Sequence, residues 1–206
     1  MVYVSPLGDN LPEEKFIDID GLKFHIIDWG GHGKWVVLLH GLASQAHIWD
    51  LVAPQLNDTF RVIALDQRGH GLTDKPDHGY DFASITHDLD QILQALKVDW
   101  AMLIGHSWGG NVALQYAVDH PQRVSDLVLV DGGFLEIGDR MDWPQAEKML
   151  EPPDLIGTPY EEFRANLRIW MGMAWTPEAE AITLHNFEVR TDETIAPHLR
   201  KSNARC

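Results

Sequence analysis

The stretch best built for chemistry in this chain is Gly105-His106-Ser107-Trp108-Gly109-Gly110. A serine hydroxyl becomes a useful nucleophile when a sharp turn lifts it clear of its neighbours. Glycines two residues to either side remove the side chains that would clash in such a turn. The flanks agree with that reading. The apolar run Trp100 to Ile104 has the look of a buried strand, and Val112, Ala113, Tyr116 and Ala117 are spaced to line one face of a helix. A strand–turn–helix of this kind points unpaired backbone N–H groups and the positive end of a helix dipole at the reacting centre. Ser107 is therefore the candidate nucleophile.

Other chemistries fail on spacing. There is no H-E-x-x-H, the only cysteine is Cys206, and the 11 histidines are scattered, so no metal site is expected. Gly30-Gly31-His32-Gly33-Lys34 lacks the phosphate-loop spacing and the hydroxyl after its lysine. Gly69-x-Gly71 has Asp74 where a dinucleotide fingerprint needs its third glycine. No cofactor is expected.

The elements that must position Ser107 read as an α/β pattern. Phe16–Asp20 and Leu22–Trp29 largely alternate, with the hairpin signal Asp20-Gly21 between them. Trp35–Leu39 and Arg61–Leu65 are continuous apolar runs, as in strands buried on both faces. A helix is expected around His47–Leu56. A second, clearer one carries Ile85, Leu89, Ile92, Leu93 and Leu96, and Leu127–Val130 forms a further strand. Strands alternating with helices predict a mostly parallel sheet with helices on both faces. His40-Gly41, Asp66 to Gly71, Ser107 and Asp131 all fall at the carboxyl ends of those strands, where such sheets hold their sites.

After Phe134 prolines punctuate helical stretches. One runs from Tyr160 to Trp175, with Phe163, Leu167, Ile169, Trp170 and Met173 giving a broad apolar surface. No buried strand is expected there. The boundaries that follow are a core over 1–134 and a helical cap over 135–206.

Composition bounds the partners. The chain has 206 residues, 45% of them hydrophobic and 23% charged, with a formal net charge of −15. Such acidity argues against nucleic acid and anionic membranes, both of which favour a basic face. Neither a secretory leader nor a membrane-spanning run is visible, so a cytoplasmic protein acting on a small molecule is expected.

Taken together, His40-Gly41, Asp66-Gln67-Arg68-Gly69-His70-Gly71, Gly105–Gly110 and Leu129-Val130-Asp131 resemble the α/β-hydrolase family, most closely its capped serine hydrolases. The resemblance implies that Ser107 attacks the carbonyl of an ester or related acyl compound, forming an acyl-enzyme. It places the oxyanion hole at the backbone N–H groups of Leu42 and Trp108. Epoxide hydrolases and haloalkane dehalogenases of the family carry aspartate where this chain has Ser107. Asp131 is the candidate acid, with a turn-forming aspartate before Gly132-Gly133 as the other reading. The family carries its histidine beyond further strands, so the chain resembles a hydrolase truncated before its last strands and is expected to lack the catalytic histidine. His106 should point away from its neighbour Ser107. His40 is expected to order its own loop, as are Asp66 and Arg68, while His185 and His198 read as solvated cap residues. An open sheet edge predicts self-association. The alternative to an enzyme is a non-catalytic relative that binds a ligand or a partner under its cap.

Overall fold

The first two strands form the hairpin that their alternation predicts. β1 (Glu13–Ile19) and β2 (Leu22–Gly30) pair antiparallel, from Glu13 opposite Asp28 to Ile19 opposite Leu22. Asp20 and Gly21 close the turn with φ of 50° and 80°, the left-handed pair whose twist matches the strands. In this computed structural model residues 11–133, 142–151 and 153–199 are described.

β3 (Trp35–Leu39), β4 (Arg61–Leu65), β5 (Ala101–His106) and β6 (Val124–Val130) are parallel to one another, and β2 joins them antiparallel through β4. The six strands lie in the order β1-β2-β4-β3-β5-β6. Because successive side chains alternate across a strand, β3 and β4 each feed two cores. Val37, Leu39, Ile63 and Leu65 pack with Leu103 against Ile85, Leu89, Ile92 and Leu93 of α2 (Phe82–Ala95) and Val112, Ala113 and Tyr116 of α3 (Trp108–Asp119). Val36, Leu38, Val62 and Ala64 pack on the other face with Ala46, Trp49 and Ala53. Helices therefore cover both faces of a mostly parallel sheet.

Three expectations need correcting. The helix around His47–Leu56 is broken into a 3₁₀ turn, Ala46–Trp49, and a single-turn helix, α1 (Ala53–Leu56). The Gln45 side chain caps the 3₁₀ turn by accepting from His47 N–H, and Pro54 cannot donate to a continuing helix. Beyond the core lie α4 (Trp143–Leu150), α5 (Tyr160–Met171) and α6 (Pro177–Leu184). A hairpin of β7 (Phe187–Val189) and β8 (Ile195–Pro197) follows, with Ile195 and Ala196 buried, where no buried strand was expected. The broad apolar surface expected of Tyr160–Trp175 is also split. Phe163 and Leu167 are buried against Ile195, whereas Ile169, Trp170 and Met173 are exposed. No helix among the described residues is long and apolar enough to cross a membrane.

Candidate active site

The connection of β3 leads to β4 on one side, and the connection of β5 leads to β6 on the other. Such a reversal opens a crevice at the carboxyl ends of the two strands, where open α/β sheets bind ligands. The loop after β3, His40–Ser44, and Ser107 at the tip of β5 flank that crevice.

Ser107 has φ 49° and ψ −120°, a conformation that favours glycine, and stands immediately before the first residue of α3. Its N–H donates to Val130 O (2.9 Å) and its carbonyl accepts from Gly110 N–H (2.9 Å), so both sides of the turn are tied down. The flanking glycines are required by contact. A Cβ on Gly105 would lie 2.3 Å from Gly109 O, and one on Gly109 would lie 2.4 Å from His40 O. Ser107 is half-buried, and no side chain among the described residues hydrogen-bonds its hydroxyl.

The first residues of α3 leave N–H groups without partners in the helix, and Trp108 N–H is the first of them. Leu42 follows Gly41, whose absent side chain lets the β3 loop approach the turn: a Cβ there would lie 3.1 Å from Ser107 Cβ. The Trp108 ring is not free to shape a pocket. It stacks on His70, with ring centroids 5.5 Å apart, and packs against the α2–α3 core.

The loops behind the crevice are held by buried polar groups. His40 accepts from Gln67 N–H at Nε2 (3.1 Å), so its proton lies on Nδ1, which donates to Gly41 O (2.8 Å). Burial pushes its pKa down despite the charge of Asp66. With both nitrogens engaged, His40 orders its loop and has no lone pair to offer as a base. Asp66 accepts from Ala46 N–H (2.7 Å) and Leu72 N–H (2.8 Å) and bonds His25 Nδ1 (2.8 Å). Burial alone would raise its carboxyl, but these bonds and nearby histidine charge hold it well below the usual carboxylate range. Arg68 forms a two-point pair with Asp88, at 2.7 Å for each bond. Asp66 and Arg68 thus fix their loop.

The remaining candidates do not converge on Ser107. Asp131 follows β6 with φ 50° and is exposed. Chain continuity keeps it close to the turn, since Val130 accepts from Ser107 and a Cβ on Gly132 would lie 2.2 Å from Ser107 O. No histidine among the described residues is hydrogen-bonded to it. His106 sets its Nδ1 against Gly41 and makes no hydrogen bond to Ser107. His185 and His198, expected in solvent, are instead half-buried and line a cavity of about 520 Å³ with His25, His47 and Asp66. Ser107 is not part of that lining.

The family model for the alpha/beta hydrolase fold matches residues 34–185. The chain belongs to the α/β-hydrolase family. It is 36% identical over 130 residues to a soluble epoxide hydrolase of Corynebacterium sp. (strain C12), covering 62% of this chain and 45% of that protein. It is 32% identical over 115 residues to the 2-(acetamidomethylene)succinate hydrolase of Mesorhizobium japonicum, covering 56% of this chain and 41% of the relative. A crystal structure of E-2-(acetamidomethylene)succinate hydrolase superposes with a TM-score of 0.76 at 22% identity, covering 94% of this chain and 71% of that one. The chain spans less than half the length of these two curated relatives.

Three residues of this family member escaped the sequence reading. His25 is fully buried in β2 and bonds Asp66 across 41 positions of chain. His70 is pressed between His40 and Trp108, and its Nδ1 donates to Arg68 O (3.0 Å). Asn111 accepts from Gly133 N–H (2.8 Å), tying α3 to the turn after β6. Only His70 carried a local signal, as part of Gly69-His70-Gly71.

Proposed function

We propose that this chain carries the nucleophile and oxyanion-binding part of a serine hydrolase acting on carboxylic esters or related acyl compounds. The observation that carries the reading is the strained Ser107 at the reversal point of the sheet, just before α3 and with Gly41 of the β3 loop in close approach. The Trp108 and Leu42 N–H groups are the proposed oxyanion donors. Ser107 Oγ bonds to the carbonyl carbon, the carbonyl oxygen takes up negative charge, and the two N–H groups stabilise it. Collapse of that intermediate expels the alcohol and leaves an acyl-serine, which water then hydrolyses. The epoxide hydrolase relative acts on a different bond, and the serine here favours the acyl chemistry.

The Ser107 proton must pass to a base as the bond forms. No histidine among the described residues is hydrogen-bonded to that hydroxyl, and the base in this proposal is a histidine brought to Ser107 in the assembled enzyme. Asp131, at the tip of the neighbouring strand, is the proposed acid that would orient it. Residues 135–206 serve as the cap over the core of 1–134.

The test is a fluorophosphonate added to the folded chain with and without imidazole, followed by intact mass and mapping of the adduct. One adduct on Ser107, increased by imidazole and lost in Ser107→Ala, is expected. No adduct on Ser107 even with imidazole would overturn the proposal. A second reading, ligand binding without turnover, is favoured by one observation: the 520 Å³ cavity is lined without Ser107.

A further inference from the structure

His47, Asp50 and His185 come together where the 3₁₀ turn after β3 meets the end of α6, and each offers one ligand atom within 4.8 Å of the others. We propose that these three residues bind a divalent transition-metal ion of the zinc type. The inference stands apart from the serine chemistry and uses none of its residues.

The donor set fits that class of ion. Two imidazoles and one carboxylate suit zinc, cobalt or nickel, whereas calcium and magnesium want oxygen alone. The spacing fits as well. His47 Nδ1 stands 3.0 Å and 3.2 Å from the two Asp50 oxygens. Two ligands each about 2.0–2.2 Å from one tetrahedral ion are themselves a little over about 3 Å apart. Asp50 is a buried carboxylate that draws a cationic group to it. Its side chain is 3% exposed, and His47 is its only ion-pair partner among the described residues. A buried carboxylate needs a cation beside it, and the His47 ring, or a metal ion held between the two in place of its proton, can supply one.

The backbone is arranged to hold the third ligand. Gln45 caps the turn carrying His47 and donates from its side-chain amide to Ile182 O (3.3 Å). His185 N–H donates to the same carbonyl (3.3 Å), so both histidines are anchored through Ile182. Their rings are stacked, with centroids 3.9 Å apart and planes at 20°. Shared coordination would require the His185 ring to tilt out of that stack so that its nitrogen, already within 4.8 Å of the other two ligand atoms, closes on the same ion. His47 and His185 both line the 520 Å³ cavity, so the fourth coordination position opens into it.

The experiment uses the full chain, freed of metal by chelation and dialysed against Zn²⁺, with metal counted per chain by mass spectrometry. One Zn²⁺ per chain is expected, together with a rise in melting temperature that Mg²⁺ does not produce and EDTA reverses. Co²⁺ in its place should give the visible absorption of a four-coordinate site. His185→Ala and Asp50→Asn should each weaken binding by at least about 100-fold, while His120→Ala should not. Folded wild-type protein that retains no Zn²⁺ or Co²⁺ would overturn the proposal without any variant. Retention undiminished in both His185→Ala and Asp50→Asn would overturn it equally, by placing the metal on other histidines.

Discussion

Ser107 N–H donates to Val130 O at 2.9 Å, fastening the strained residue that follows β5 to the last residue of β6. Strain at one strand tip is thus carried by its neighbour. A serine at φ 49° and ψ −120° costs about 1–3 kcal/mol against an unstrained residue. Glycine adopts that conformation freely but gives back about 0.5–1 kcal/mol in chain entropy. Ser107→Gly should therefore raise unfolding free energy by about 1 kcal/mol, and Ser107→Ala should not. Urea denaturation of the two variants checks this, and equal stabilities would mean the turn stores no strain at Ser107.

His70 gives the fold a dependence on pH near neutrality. Burial, then the neighbouring His40, pushes its pKa from 6.5 down to about 3. His40 is lowered too, again chiefly by burial. A depressed histidine is neutral in the folded state while the unfolded chain takes up the proton, so stability falls as pH drops below about 6.5. Each group contributes up to about 1.4 kcal/mol per pH unit. Denaturation midpoints at pH 7.5, 6.0 and 5.0 should fall steadily in the wild type. They should fall less in His70→Phe, which has no proton to gain. An equal slope in the variant would remove His70 from this account.

Glu180 organises the segment after the core. It accepts from Arg164 (2.7 Å), Arg168 (2.7 Å) and Trp175 Nε1 (2.7 Å) while its own side chain is 4% exposed. The Arg168 bond is the largest influence and, with Trp175 and Arg164, outweighs burial to hold the carboxyl at about 2. Its contribution is present above the ordinary pKa of 4.5 and is lost as pH falls from there towards about 2. Glu180→Gln leaves two arginines short of a partner, and because Arg168 is half exposed the cost should be about 2 kcal/mol. Hydrogen exchange should quicken across α5 and α6 but not in β3 to β5. Uniform quickening would mean that the segment and the sheet unfold together.

The sheet and the serine turn were legible because their signals are local. Continuous apolar runs mark β3 and β4, and Gly105 and Gly109 mark a turn where two backbones touch. The broken helix after β3 was not legible, because Gln45 and Pro54 act against an apolar spacing that still suits a helix. β7 and β8 hold three residues each, too few for an alternation to register. The His25–Asp66 bond and the His47–His185 stack join residues far apart in the chain, so only the folded topology reveals them. The Ser107 turn was found from spacing, whereas which histidines hydrogen-bond which groups, such as His40 to Gln67 rather than to Ser107, depends on the folded loops.

β6 closes one side of the sheet, with no further strand beside it among the described residues. Val128 and Val130 on that strand are 41% and 39% exposed, although both belong to a run that would suit a buried position. An uncovered strand edge with apolar side chains is a template for pairing with another chain. The chain should therefore associate in a concentration-dependent way, visible as a rising mass in light scattering between micromolar and higher concentrations. Val128→Lys should suppress that rise, since a charge on an edge strand must be desolvated when a second strand pairs there. It should leave the melting temperature nearly unchanged, because surface substitutions usually fall within about 0.5 kcal/mol. A compact monomer at every concentration would show that the β6 edge is protected. Association undiminished by Val128→Lys would move the contact elsewhere, with the exposed Ile169, Trp170 and Met173 as the next surface to test.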